Sequence, residues 1–231
     1  MAIFVEGLTE QILVRRMLGE IMDRKQIAIQ TVKATGGHNV RLSFTVVHAA
    51  DVSRQTQYFV LIYDCGGETN VKGYMMSQME SLKRSGYTTI LGLRDVYPNF
   101  SRQDIKKLRF GLNFKLPTDH VYSRIHLAVM ETEAWFLAEY HHLQRVSPRL
   151  TPAYIQKKLG FNPKNDSMED LETPAEDLRE VYHLAGVDYT KKRQKLNEVV
   201  NLMDFEYFMN GLPRRLSSLA LFVRDLENFF L

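Results

Sequence analysis

The chain has 231 residues and a formal net charge of +3, with 25% charged and 45% hydrophobic residues. This is the balance of an ordinary globular protein, long enough for one main domain and a smaller appendage. The single cysteine, Cys65, excludes an internal disulfide framework and a cysteine-based zinc site, which favours a reducing, cytoplasmic setting. We expect neither a signal peptide nor a membrane span, because no basic-then-apolar leader precedes the first strand and no apolar run approaches roughly 18 residues.

The first ten residues predict a buried strand that delivers an acid to the start of a helix. The apolar run 2–5 ends at Glu6, and Gly7 permits a tight reversal. Residues 9–23 then carry apolar side chains at helical spacing. By themselves, Glu6 and Glu10 suit either a metal site or the positive end of the helix dipole.

The stretch that follows, up to residue 50, predicts a strand and then a second helix. Residues 27–32 favour a short strand, and residues 39–50 are interpreted as a helix. His38, which follows a glycine pair, could contact a phosphate, although a solvated loop histidine is the commoner situation.

Three further strands are predicted, and each is followed by an acid. The run 58–63 ends at Asp64, the run 88–93 leads to Asp95, and the run 125–130 leads to Glu131. Helices are predicted between and after them, over residues 72–85, 101–110 and 134–146.

The alternation of strands and helices predicts an α/β fold, with a Rossmann-like, mainly parallel sheet and helices on both faces. We assign this domain to residues 1–146. The dipeptides Ser147-Pro148 and Thr151-Pro152 interrupt the chain, and helices are predicted over 175–186, 190–203 and 213–230. Residues 147–231 are therefore expected to form a helical C-terminal extension packed on the domain, with the last amphipathic helix against the sheet.

Acids at several strand ends predict a metal site. In a parallel sheet the carboxyl ends of the strands meet at one edge, so Glu6, Asp64, Asp95 and Glu131 are expected there. Neighbouring carboxylates repel one another unless a cation joins them. Mg²⁺ or Mn²⁺ is the expected ion, because hard divalent cations prefer oxygen ligands, and such ions hydrolyse phosphodiesters in many nucleases.

The segment Val5-Glu6-Gly7-Leu8-Thr9-Glu10 resembles the opening motif of TOPRIM domains. The resemblance is to the OLD (overcoming lysogenisation defect) type nucleases and to small stand-alone TOPRIM-like effectors of bacterial anti-phage systems. It covers residues 1–140 and includes the run Ala134-Trp135-Phe136-Leu137-Ala138. It implies a divalent-metal site in which Glu6, Glu10 and Asp64 match the first elements, and Glu131 and Glu133 a later acidic pair.

The later segment Tyr189-Thr190-Lys191-Lys192 also resembles a segment of the relatives, and it offers Lys191 as a stabiliser of transition-state charge. Two adjacent lysines in a polar, helical segment more commonly lie on its solvent-exposed face. One departure concerns the ligands, because the chain has Asp64-Cys65-Gly66 where the family has Asp-x-Asp. Asp95 is the candidate substitute, and Cys65 is interpreted as a small residue near the site rather than a nucleophile.

Two functions are expected as alternatives. The first is a divalent-metal-dependent endonuclease for DNA or RNA, with Glu6 as ligand or general base and Glu10, Asp64, Glu131 and Glu133 as ligands. The resemblance implies a toxic effector of anti-phage defence, a partner ABC-type ATPase that controls it, and a homodimer when active. The second is a degenerate, non-catalytic TOPRIM module that binds nucleic acid or docks on a partner protein.

Other classes fit the sequence less well. Primases and topoisomerases carry TOPRIM within longer chains, and a Rossmann nucleotide binder would need glycines directly after the first strand. The sequence has no Gly-x-x-x-x-Gly-Lys-Ser/Thr loop, so nucleotide hydrolysis is expected from another chain.

Overall fold

The computed structural model describes residues 1–23, 25–37, 40–67, 69–117 and 119–231, so His38 lies outside the described residues. The chain forms two compact units. Unit 1 comprises Met1–Arg94, Lys106–Leu127 and Asp225–Leu231, and unit 2 comprises Asp95–Ile105 and Ala128–Arg224. The boundary expected after residue 146 lies inside unit 2.

The described residues contain a six-stranded, mostly parallel sheet. Its strands are β1 (Ala2–Val5), β2 (Ile27–Gly37), β3 (Val40–His48), β4 (Tyr58–Asp64), β5 (Thr89–Asp95) and β6 (Tyr122–Ala128). They lie in the order β3-β2-β4-β1-β5-β6. Strand β1 pairs in parallel with β4 and β5, and β2 pairs in parallel with β4. The predicted α/β class with a mainly parallel sheet is confirmed.

The helix expected over residues 39–50 is wrong, because Val40–His48 is strand β3, antiparallel to β2. Its residues alternate between polar and apolar in the run Arg41-Leu42-Ser43-Phe44-Thr45, and this period of two belongs to a strand. The β-branched Val46 and Val47 favour the same conformation. Strand β2 also continues to Gly37, beyond its predicted end at residue 32.

The α-helices follow the predicted positions, with two local differences. They are α1 (Leu8–Ile21), α2 (Asn70–Arg84), α3 (Ile105–Asn113), α4 (Glu133–Ala138), α5 (His141–Val146), α6 (Pro152–Leu159), α7 (Pro174–His183), α8 (Arg193–Leu202) and α9 (Ser217–Glu227). The helix expected over 134–146 is divided, because the Glu139 carboxylate accepts hydrogen bonds from the amides of His141 and His142 and so begins α5. Among these described helices, none has the length and apolarity needed to cross a bilayer.

Helix α6 was not predicted, although its start has a clear local signal. The Thr151 hydroxyl accepts a hydrogen bond from the Tyr154 amide at 3.2 Å, and Pro152 occupies the first turn. The Thr-Pro pair therefore begins a helix rather than only interrupting the chain.

Each unit has its own apolar core. In unit 1, β1 is entirely buried and Phe4 stacks on Tyr63 with ring centroids 4.2 Å apart. Phe229 and Phe230, which follow α9, pack on Tyr58 of β4. In unit 2, buried aromatic side chains form the centre, namely Trp135, Phe136, Phe208 and Phe222.

Candidate metal centre

Three buried acids of unit 2 lie together, and we call them the carboxylate cluster: Asp95, Glu131 and Glu133. Each offers an oxygen, and these oxygens all lie within 4.8 Å of one another. Asp95 is the last residue of β5, while Glu131 and Glu133 follow β6, with Glu133 as the first residue of α4. All three acids were predicted as ligands from the sequence.

The turn that presents Glu131 has an uncommon backbone conformation. Met130 has φ of 61°, a left-handed value that a non-glycine side chain adopts at a cost. The Met130 carbonyl accepts hydrogen bonds from the amides of Val96 and Tyr97, both at 2.9 Å. These bonds join the segment after β5 to the segment after β6, and so hold Asp95 and Glu131 at one place.

Each carboxylate is oriented by a protein hydrogen bond. Asp95 Oδ1 accepts from the amide and hydroxyl of Thr132 at 3.0 and 2.9 Å. Glu131 Oε2 accepts from the amide of Ala175, in the first turn of α7, at 2.8 Å. Glu133 Oε1 accepts from the Tyr189 hydroxyl at 3.0 Å. The positions of the carboxylates are thus fixed by α4, α7 and the segment before α8.

Lys191 supplies a positive charge to the cluster. Its Nζ lies 2.9 Å from Glu133 Oε1 and 3.7 Å from Glu131 Oε1. Burial alone lowers the pKa of Lys191, but the charges of Glu133, Asp95 and Glu131 outweigh it and hold that pKa above its usual value. The lysine therefore stays protonated and supplies one positive charge to a cluster of three acids.

The charge balance also affects Glu131. Burial raises the pKa of its carboxyl, and the charge of Glu133 adds to that effect, while the Ala175 amide and Lys191 oppose it. A cation at this carboxyl would offset both the desolvation and the repulsion by Glu133.

The donor set of the cluster fits a hard divalent cation. Glu133 is 0% exposed, and its Oε2 has no hydrogen-bond partner in the part of the chain that the structure describes. A buried carboxylate oxygen without a donor is costly, and a cation removes that cost. Oxygen ligands without sulfur or imidazole match Mg²⁺ or Mn²⁺.

Two other predicted site residues, Glu6 and Asp64, lie together in unit 1. Val5 and Asp64 are register partners in the parallel pair β1/β4, and Glu6 follows directly. Burial raises the pKa of the Cys65 thiol, and the charges of Asp64 and Glu6 raise it further. The thiol is therefore protonated and a poor nucleophile, in keeping with the sequence interpretation of Cys65.

Glu10 and Gly66 have local structural roles in unit 1. Glu10 is buried in the first turn of α1, and its Oε2 accepts a hydrogen bond from the Gly7 amide at 2.9 Å. Gly66 has φ of 67°, and its amide donates to Asp64 Oδ1 at 3.1 Å. Gly66, which stands where the family pattern has a second aspartate, thus orients the Asp64 carboxylate.

The sequence did not indicate which groups orient the carboxylates. Thr132 was recognisable only as the residue between two acids, and Tyr189 only as part of a resembling segment. The Ala175 amide has no signature in the side-chain sequence, apart from the proline-led helix start before it.

No protein-family model, curated protein or solved structure matches the chain. Fold and site define a class: an α/β protein with a mostly parallel sheet and a buried carboxylate cluster at the ends of β5 and β6. The TOPRIM resemblance rests on the sequence motifs.

Proposed function

We propose that this chain is a divalent-metal-dependent endonuclease that hydrolyses phosphodiester bonds of DNA or RNA, with transfer RNA among the candidate substrates. The carboxylate cluster carries the proposal, because three buried acids, one of them with an oxygen that has no donor among the described residues, are suited to a cation. The acids at the ends of β1 and β4, Glu6 and Asp64, support it through their match to the TOPRIM motif.

Asp95, Glu131 and Glu133 would hold Mg²⁺ or Mn²⁺, which supplies water activation and stabilisation of a leaving oxygen. Thr132 and Tyr189 keep the carboxylates in place through their hydrogen bonds. We assign Lys191 to the stabilisation of negative charge on the substrate. In unit 1, we assign Glu6, Glu10 and Asp64 to metal binding or, for Glu6, to general-base catalysis.

The biological setting follows from the resemblance. We propose a toxic effector of anti-phage defence, active as a homodimer and controlled by a partner ABC-type ATPase. Inspection of the neighbouring genes, followed by co-purification of the chain with any ABC-type ATPase that they encode, tests this partner.

Cleavage assays with matched variants test the nuclease proposal. The purified chain, with and without the ATPase, is incubated with plasmid DNA and transfer RNA in Mn²⁺, Mg²⁺ or EDTA. We expect metal-dependent cleavage that Glu133→Gln and Asp95→Asn abolish, and that Glu176→Gln, an exposed acid of α7, leaves intact. Thermal melts show whether each variant is folded, and equal cleavage by folded Glu133→Gln would sink the proposal.

A metal-soaked crystal structure tests the ligand assignment separately. Anomalous scattering from Mn²⁺ identifies which acids hold an ion, among Glu6 and Asp64 in unit 1 and Asp95, Glu131 and Glu133 in unit 2. An ion bound without Glu131 and Glu133 would contradict the assignment.

The non-catalytic module remains the second candidate, and Gly66 favours it, because this glycine stands where the family pattern has a second aspartate. The Lys191 ammonium, 2.9 Å from Glu133 Oε1, balances only part of the cluster's charge. Calorimetry that detects no Mg²⁺ or Mn²⁺ binding, together with nucleic-acid binding and no cleavage, would establish this candidate.

A further inference from the structure

Helix α3 of unit 1 exposes two aromatic rings. Phe110 is 70% exposed and Phe114 is 51% exposed, and their ring centroids lie 5.6 Å apart at an interplanar angle of 30°. Leu108 and Leu112, on the opposite side of the helix, are buried. Exposed large aromatic side chains that neighbour each other commonly mark an interaction site.

Basic side chains surround these rings, and we call the set the aromatic-basic face: Lys106, Lys107, Arg109, Phe110, Phe114 and Lys115. Its four cations are exposed, and residues 105–117 contain no acid. In the described part of the chain, none of the four forms an ion pair. The Lys115 ammonium lies 5.3 Å from the centroid of the Phe114 ring.

The face is held in position by Lys72 of α2. Its Nζ donates hydrogen bonds to the carbonyls of Gly111 and Phe114, at 2.7 and 3.0 Å. These bonds satisfy carbonyls at the C-terminal end of α3 and fix the backbone that carries both rings. The rings are therefore preorganised for a partner that stacks on them.

We propose that the aromatic-basic face binds single-stranded nucleic acid. Phosphates pair with the four cations of the face, and unstacked bases stack on Phe110 and Phe114. A duplex keeps its bases inside, so the rings favour a single strand. A second copy of the chain fits poorly, because the same face opposed to itself would set cation against cation. Strand binding by this face does not depend on the proposed nuclease function. Only the role of the bound strand as a substrate rests on that function.

Fluorescence anisotropy of labelled strands in EDTA tests this face without any metal chemistry. The probes are DNA and RNA of about 20 nucleotides, single-stranded and duplex, longer than the site of one binding module. We expect single strands to bind the full chain more tightly than duplexes, and Phe110→Ala/Phe114→Ala to weaken that binding by about thirtyfold or more, since each stacked base contributes at least about 1 kcal/mol. Both positions are exposed, and thermal melts of the variants check that the fold is retained.

Charge variants supply the matched control. Lys106→Ala/Lys107→Ala should reduce the slope of log affinity against log salt by up to about 1.4, since each lost phosphate contact on a single strand contributes about 0.7. Lys157→Ala/Lys158→Ala removes the same charge from two adjacent exposed lysines of α6 and should leave affinity and slope nearly unchanged. Equal losses in both double variants would mean that only net charge matters, which overturns the assignment.

Two further outcomes overturn the assignment. Binding that survives unchanged in Phe110→Leu/Phe114→Leu would exclude stacking, since leucine keeps apolar area without a ring. No binding of any strand would also exclude it and leave a partner protein as the occupant of the face. Strand binding without Mn²⁺-dependent cleavage would leave this assignment standing while the proposed nuclease function fails.

Discussion

Replacing Lys191 by methionine tests whether the carboxylate cluster needs a cation. The Lys191 ammonium lies 2.9 Å from the wholly buried Glu133, and its removal leaves three buried acids to repel one another. Breaking a fully buried ion pair costs about 3–5 kcal/mol. Because 47% of the Lys191 side chain is exposed, solvent screening reduces the cost of breaking its ion pair with Glu133. We therefore expect Lys191→Met to lower the free energy of unfolding by about 2 kcal/mol.

Metal binding should reverse the effect. A ligand that binds only the folded state at about 100 times its Kd adds about 2.7 kcal/mol to stability. In Lys191→Met the ion meets no competing ammonium, so the gain from Mn²⁺ should exceed the gain in the wild-type protein. Urea denaturation in EDTA and in MnCl₂ measures both quantities, followed by fluorescence of Trp135, the single tryptophan, which is buried in unit 2 with the cluster.

Lys192→Met is the matched control, because Lys192 is the exposed neighbour. It should lose little stability in EDTA and respond to Mn²⁺ as the wild type does. If Lys191→Met is as stable as Lys192→Met in EDTA, the ion pairs of Lys191 contribute nothing measurable. If Mn²⁺ stabilises none of the three proteins, the cluster does not hold a metal.

Other predictions concern the two units separately. In unit 1, burial raises the pKa of Asp225, but hydrogen bonds and positive charge from β6 side chains outweigh it and hold that pKa below its ordinary 3.8. The resulting stability is present above pH 3.8 and lost at lower pH, so Asp225→Asn should cost about 2 kcal/mol at pH 7 and less at pH 3 in urea titrations. Gly92→Ala should cost about 1–3 kcal/mol in the same assay, because its Cβ would lie 2.9 Å from Ile125; an unchanged midpoint would contradict this. In unit 2, Tyr182→Phe should be neutral or stabilising, since the buried Tyr182 hydroxyl has no partner among the described residues, whereas Tyr189→Phe should lose about 1 kcal/mol; equal midpoints would contradict the difference.

The class of the fold was predictable because its strongest signals are local. The continuous apolar run of β4 and the helical spacing of α2 each identify an element without its surroundings. Strand β3 also has a local signal, because Arg41, Ser43 and Thr45 alternate with apolar residues at the period of a strand, and the helix prediction overlooked that period. Its antiparallel pairing with β2 was not predicted.

The acids of the candidate site were predictable because chain order and sheet direction place them. Asp95 and Glu131 each follow a strand, and parallel strands bring such residues to one edge. The groups that orient them were not predictable. Tyr189 is 56 residues from Glu133, and the Ala175 amide is 44 residues from Glu131, so both contacts arise from tertiary folding that periodicity does not encode.

Lys191 separates the two candidate functions more sharply than any acid does. A module that had lost its metal would gain stability from donors to every buried carboxylate oxygen, yet Glu133 Oε2 has no hydrogen-bond partner among the described residues, and Lys191 contacts the other oxygen. A buried carboxylate oxygen without a donor is costly unless a second cation shares the site. The ammonium therefore fits better as a partial counter-ion beside a metal than as its replacement, and the enzyme remains the better supported of the two proposals.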